Sequence, residues 1–185
     1  MRVKNFLSFI WEIAKIVIIA LAIVIPIRYF LFQPFFVKGQ SMEPNFENGD
    51  YLIVDEISYK LREPKRGEVI VFKYPENPSQ RFIKRVIGLP NETVEIEDGK
   101  VKIFKNSQLQ ILDEEDYIQS LIYTSGDIQV ILGPNEYFVL GDNRDFSFDS
   151  RRFGVLSKEY IIGRVLLRAW PFASLSKIEL PSYSF

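Results

Sequence analysis

Neither cysteine nor histidine occurs in this chain of 185 residues. Without cysteine there is no disulfide framework, no thiolate nucleophile and no Cys-ligated zinc or iron–sulfur cluster. Without histidine, Ser-His-Asp, Cys-His and His-ligated metal mechanisms are excluded as well. Catalysis in this chain has only Ser, Thr, Tyr, Lys, Arg, Asp and Glu to run on. A net charge is nearly lacking too, with 23 Lys and Arg against 24 Asp and Glu. That balance hides a split. Residues 1–40 carry Arg2, Lys4, Lys15, Arg28 and Lys38 against Glu12 alone, and the remainder carries 18 cations against 23 carboxylates. A mildly acidic body suits nucleic acid poorly, because that binding leans on phosphate neutralisation. No nucleic-acid partner is expected.

What is present begins with apolar residues at 47%, enough for a core in a chain of one-domain length plus an appendage. Residues 6–27 are mostly Ile, Ala, Val, Leu and Phe, interrupted by Ser8, Glu12 and Lys15. As a helix this segment spans about 33 Å, matching a bilayer core of about 30 Å. A cleavable leader would end in small residues, whereas this run ends in Ile25-Pro26-Ile27-Arg28-Tyr29-Phe30. A buried core helix is the plainer alternative; a single membrane anchor over residues 1–28, with the transmembrane helix at about 6–27, fits better. Positive-inside counting puts the N-terminus in the cytoplasm and the body, 29–185, outside.

The body reads as short β-type runs: Tyr51–Val54, Glu68–Phe72, Arg81–Ile87, Thr93–Ile96, Val101–Phe104, Ile128–Leu132 and Tyr137–Leu140. Turn residues separate them, and Asp98-Gly99 predicts a hairpin. The fold class is therefore mainly β, an antiparallel sheet body preceded by one helix. A small polar excursion at about 99–134 interrupts it. Within that excursion Asp113-Glu114-Glu115-Asp116 lacks the glycine turn and distal Glu of a calcium loop, and reads as a solvated acidic loop. No metal site is expected.

Three elements carry chemistry. Ser41 follows Gly39 in a turn closed by Pro44, a setting that can expose a hydroxyl and a backbone N–H together; turn serines also serve as local hydrogen-bonding residues. In Arg81–Ile87 the strand period puts Phe82, Lys84 and Val86 on one face and Ile83, Arg85 and Ile87 on the other. A free lysine, with a pKa near 10.4, is neutral in about one molecule in 2,500 at pH 7. Desolvation on an apolar face can lower that pKa and make the amine a base; an ion-paired or snorkelling strand lysine is the competing reading. Third, Gly141–Arg152 interleaves Asp142, Asp145 and Asp149 with Arg144, Arg151 and Arg152, which suggests a cross-linked loop. Its Phe146 and Phe148 are out of place in a merely solvated loop.

With these elements in this order, the chain resembles the bacterial type I signal peptidases. The matching text is GQSMEPNFENGDYLIV, RGEVIVF, RFIKRVIGLP, GDNRDFSFDSRRFGVL and GRVLLRAWPF, covering about 28–98 and 135–172. The resemblance implies a membrane-bound serine endopeptidase that removes signal peptides from exported preproteins. It implies Ser41 as nucleophile and Lys84 as general base, without cofactor or metal. Ser147 would be the hydroxyl that orients the lysine, and Asp142, Arg144, Asp149 and Arg151 the bracing ion-pair positions. The family's preference for small residues at −1 and −3 implies shallow pockets, with Phe36, Val37, Ile83 and Val86 as candidate linings. Expected partners are signal peptides and the phospholipid bilayer, with the chain a single-pass plasma-membrane monomer. Gly39 stands where many Gram-negative members carry a serine of the oxyanion hole, and Asn91-Glu92 replaces the usual Gly-Asp after GLP. A related self-cleaving serine–lysine protease and a catalytically silent, membrane-anchored binding module are the rival readings.

Overall fold

The computed structural model describes residues 9–22, 32–106, 108–118 and 123–183. Residues 9–22 form a helix, α1, whose apolar side chains, Phe9, Ile10, Ile13, Ile16 and Ile19 among them, are exposed. At 1.5 Å per residue it is about 20 Å long. Among the described residues no helix is long and apolar enough to cross a membrane. The expected span of 6–27 lies partly outside the described residues, at 6–8 and 23–27.

The body is mainly antiparallel β, as the strand pattern implied. One sheet takes the order β1 (Phe32–Phe36), β2 (Tyr51–Asp55), β11 (Ile161–Trp170), β3 (Val69–Tyr74), β4 (Asn77–Gly88), β9 (Glu136–Leu140), β10 (Leu156–Ser157). The short β12 (Ser176–Lys177) pairs with the far end of β11. Alternation decides what each strand buries. On β3, Val69 and Val71 enter a cluster with Val37, Met42, Phe46, Leu52, Val54 and Ile83, while Ile70 and Phe72 pack behind with Val86, Tyr137 and Val139. Both faces are covered, so β3 is apolar almost throughout.

Three strands separate β1 from β4 in the sheet order, yet Phe35 and Phe36 share a cleft with Arg81–Lys84. The sheet must therefore curl. Irregular register on β11, between Ile161 and Gly163 and again at Val165/Leu167 and Arg168/Trp170, supplies the extra twist.

A second sheet, ordered β7 (Gln108–Ile111), β6 (Lys100–Lys105), β5 (Thr93–Glu97), β8 (Ile128–Ile131), contains most of the expected excursion. It begins at Thr93 rather than near residue 99. The reason is packing: Val94, Ile96, Val101 and Ile103 close a cluster with Ile87, Leu132, Phe138 and Leu140 of the main body. The Asp98-Gly99 hairpin forms as expected, with φ of 51° and 75° at the two turn residues. After GLP, Asn91 takes a left-handed φ of 64°, and Glu92 is fully buried. Arg66 Nη2 donates to both Glu92 oxygens at 2.8 Å, so the departure at 91–92 builds a buried ion pair.

Candidate active site

The chain leaves β1 at Phe36 and turns sharply. Val37, Met42 and Phe46 are buried and fix the two ends of the turn, which lifts Gly39, Gln40 and Ser41 toward the surface. Gly39 has φ +92°, and its N–H donates to Asn48 Oδ1 at 3.0 Å. The Ser41 N–H donates to no group among the described residues. Across from it, β4 brings Lys84 with only 4% of its surface exposed. Lys84 Nζ lies 2.7 Å from Ser41 Oγ and donates to the Ile83 carbonyl at 2.8 Å. The Phe82 ring lies 5.6 Å away. Burial pushes the amine down from 10.5 to about 8, against the opposing pull of Asp149 and Asp142.

That pull is weak because each carboxylate is already engaged. Arg85 donates to Asp142 through Nε at 2.8 Å and Nη2 at 2.6 Å, and to the Gly67 carbonyl through Nη1 at 2.9 Å. Arg151 donates to Asp149 through Nε and Nη2, both at 2.9 Å. Burial alone would raise the Asp149 pKa; the Arg151 fork, the Gly141 N–H and the nearby Ser147 outweigh it and hold the carboxyl below its ordinary value. Of the loop's acids and arginines, Asp149 and Arg151 pair with each other, while Asp142 is taken by Arg85 of β4 and Arg144 by Glu114; both carboxylates that act on Lys84 are thus engaged, and the amine is left to desolvation. With a pKa of about 8, roughly one molecule in ten carries the neutral amine at pH 7.

The loop after β9 also holds the serine turn. The Asn143 N–H donates to the Ser41 carbonyl at 3.1 Å, and Asn143 Nδ2 donates to the Gln40 carbonyl at 3.0 Å. Gly141 is required here by close approach: a β-carbon would overlap both Ser147 Oγ and the Ser41 carbonyl oxygen. Ser147 itself is buried and has no hydrogen-bond partner of good geometry. Lys84 Nζ bonds to Ser41 and Ile83, so the expected lysine–Ser147 bond is not among its contacts.

A cleft of about 450 Å³ opens on the pair, lined by Phe35, Phe36, Gln40, Ser41, Ile83 and Lys84, with Phe146 and Phe148 at its rim. Of the four expected pocket residues, Phe36 and Ile83 line it. Val37 and Val86 do not; each is buried in a core cluster, on opposite sides of the sheet. The acidic run 113–116 also departs from expectation, because it is not simply solvated. Glu114 pairs with Arg144, which is almost wholly buried, and Asp116 accepts from the Ser182 N–H at 2.8 Å. Sequence reasoning missed Asn45, Arg85, Glu114 and Tyr117 as neighbours of the site. The available signal was Tyr117-Ile118, two large apolar side chains directly after four acids, and both are buried.

An amine that served as base on the serine would have to be neutral, and activity that ran through it would fall as pH drops below its pKa. We expect kcat/KM to rise about tenfold per pH unit up to about pH 8 and then level off. A steady-state profile that stays flat down to pH 6 would exclude Lys84 as that base.

The family described as signal peptidase, peptidase S26, matches residues 10–170. The chain is 40% identical over 175 residues to a signal peptidase I of Leptolyngbya laminosa, covering 90% of this chain and 83% of that one. It is 33% identical over 187 residues to signal peptidase IB of Staphylococcus aureus, covering 92% of each. A solved signal peptidase I from Enterococcus faecalis is 32% identical, with a TM-score of 0.47 over 56% of this chain and 97% of that one. The chain belongs to the signal peptidase family, peptidase S26.

Proposed function

We propose that this chain is a membrane-anchored serine endopeptidase that removes signal peptides from exported preproteins, with Ser41 as nucleophile and neutral Lys84 as general base. The observation that carries the reading is a buried amine 2.7 Å from a cleft serine. Lys84 accepts the Ser41 hydroxyl proton as Oγ bonds to the scissile carbonyl carbon. The free Ser41 N–H supports the oxyanion. Collapse breaks the C–N bond, and the Lys84 ammonium returns its proton to the leaving amine of the mature protein. Lys84 then deprotonates water, which attacks the acyl ester; the signal peptide leaves as a carboxylate and Ser41 regains its proton.

Substrate enters as an extended strand beside β1, which ends the main sheet and carries Phe36 into the cleft. Phe36 and Ile83 line the cleft beside Ser41, and small residues at −1 and −3 are the ones we expect it to accept. The apolar, exposed α1 supports an anchor in residues 1–28, with the β body on the outer face of the plasma membrane. Exposed Trp170 and Phe172, packed edge to face at 4.8 Å, add apolar surface on the body itself.

The test is incubation of the purified full chain with a synthetic preprotein. Cleavage should follow a small residue, and replacing that residue by leucine should lower kcat/KM by about 10²-fold. Binding without any product would establish the silent module instead.

A further inference from the structure

We propose that Tyr117, with Glu114, is a positioning residue that holds the Ser41 turn and the Lys84 strand in register from the second sheet's connecting segment. The inference rests on the Ser41–Lys84 reading. Tyr117 touches both sides of that pair and the loop behind it through three different groups. Its carbonyl accepts from Asn45 Nδ2 at 2.7 Å, and Asn45 lies four residues past Ser41 in the same turn. Its ring lies 4.1 Å from the guanidinium of Arg85, the residue after Lys84. Its hydroxyl donates to Glu114 Oε1 at 2.7 Å, and Glu114 takes both terminal nitrogens of Arg144.

Those three partners converge. Asn45 Nδ2 also donates to Asp142 Oδ2 at 2.9 Å, the carboxylate that Arg85 grips. Arg144 Nε donates to the Gly141 carbonyl at 3.0 Å, and Thr124 beside Glu114 accepts from Arg144 Nη1. Tyr117 is buried and lies outside the residues lining the Ser41 cleft. It therefore acts on the reaction through the spacing of Ser41 and Lys84, not through substrate. A misplacement of about 1 Å in such a pair costs on the order of 10²-fold in rate, whereas the cleft walls that set KM stay in place.

The experiment compares Tyr117→Leu and Tyr117→Phe with the wild-type chain on a preprotein peptide, below the melting temperature of each. Tyr117→Leu should lower kcat about 10- to 100-fold with KM within about twofold. Its acidic limb should move upward from about pH 8 as water reaches a loosened Lys84. Tyr117→Phe keeps the ring and the carbonyl and should stay within about threefold of wild type. A folded Tyr117→Leu with wild-type kcat and pH profile overturns the proposal. If that variant does not fold, Glu114→Gln decides: a several-fold fall in kcat at unchanged KM supports the clamp, and wild-type kcat overturns it. Ser41→Ala run alongside keeps the two readings apart: retained turnover there defeats the dyad and this proposal with it, whereas lost turnover there beside a wild-type Tyr117→Leu overturns the Tyr117 role alone.

Discussion

Lys84→Met should lower kcat by about 10⁴-fold and, at neutral pH, make the protein more stable. The rate falls because one amine moves every proton in the proposed cycle, and Ser41→Ala should lose a comparable factor. Stability rises because the wild-type chain buries a group that prefers to be charged. Its pKa is about 8 in the folded protein and near 10.5 when exposed, so the folded state binds fewer protons between those values. The burial penalty is present in full below pH 8 and fades as pH rises toward 10.5. That difference corresponds to about 3 kcal/mol, and the lost bonds to Ser41 and the Ile83 carbonyl offset about 1 kcal/mol or more. A net gain of about 1–2 kcal/mol at pH 7, reversing to a loss of about 1 kcal/mol above pH 10 where only the missing bonds count, is expected in chemical denaturation. Equal stability at pH 7 would mean that the amine is not desolvated.

Asp142→Ala should be the most destabilising single change around the site. Asp142 and Arg85 are both buried, and the bidentate pair also receives Asn45. Deleting one member of a buried pair leaves an uncompensated charge and costs about 3–5 kcal/mol. For a chain of this size that is a fall of roughly 10 °C in Tm. Lys102 on the second sheet also pairs with two carboxylates, Glu95 and Glu97, but at the surface. Water screens that cluster, so Lys102→Ala should leave Tm unchanged. A Tm for Asp142→Ala within a degree of wild type would show that the pair is not holding the loop.

Much of the architecture was legible from period-two runs. β2, β3, β4, β5, β6, β8 and β9 each fall on an anticipated segment, within a few residues at the ends. Five strands were not anticipated. β7 was passed over because Gln108–Ile111 is a four-residue alternation inside the polar excursion, and its Leu109 and Ile111 stay exposed. β10 and β12 are only two residues long, too short to have a period. β1 and β11 carry ordinary apolar residues; the first lies between the anchor and the serine turn with no strand assigned to it, and the second entered only within the matching text GRVLLRAWPF. Strand ends also shift because pairing, not propensity, fixes them.

At the site, Ser41 and Lys84 could be singled out from residue type, order and surroundings, and the structure sets them within hydrogen-bond distance. Alternation placed Val86 on the correct face, and only its expected place in the pocket failed. It shares the Lys84 face but lies farther along β4, sealed among Phe72, Tyr137 and Val139. The acidic run was read only in part: Asp113, Glu115 and Asp116 are exposed as expected, and Glu114 is not. A carboxylate looks solvated until its partner is known, and Arg144 lies 30 residues from Glu114.

The sequence by itself settled the chemistry available: no thiol, no imidazole, one serine in a glycine-led turn and one lysine on an apolar strand. It also settled the strand-rich body, because alternation is a local property. Only the tertiary structure decided that the amine is dry, that Asp142 and Asp149 spend their charge on arginines, and that a distant turn at Glu114–Tyr117 braces both sides of the cleft. Desolvation and ion pairing depend on what the fold brings within a few ångströms, and no local pattern records that.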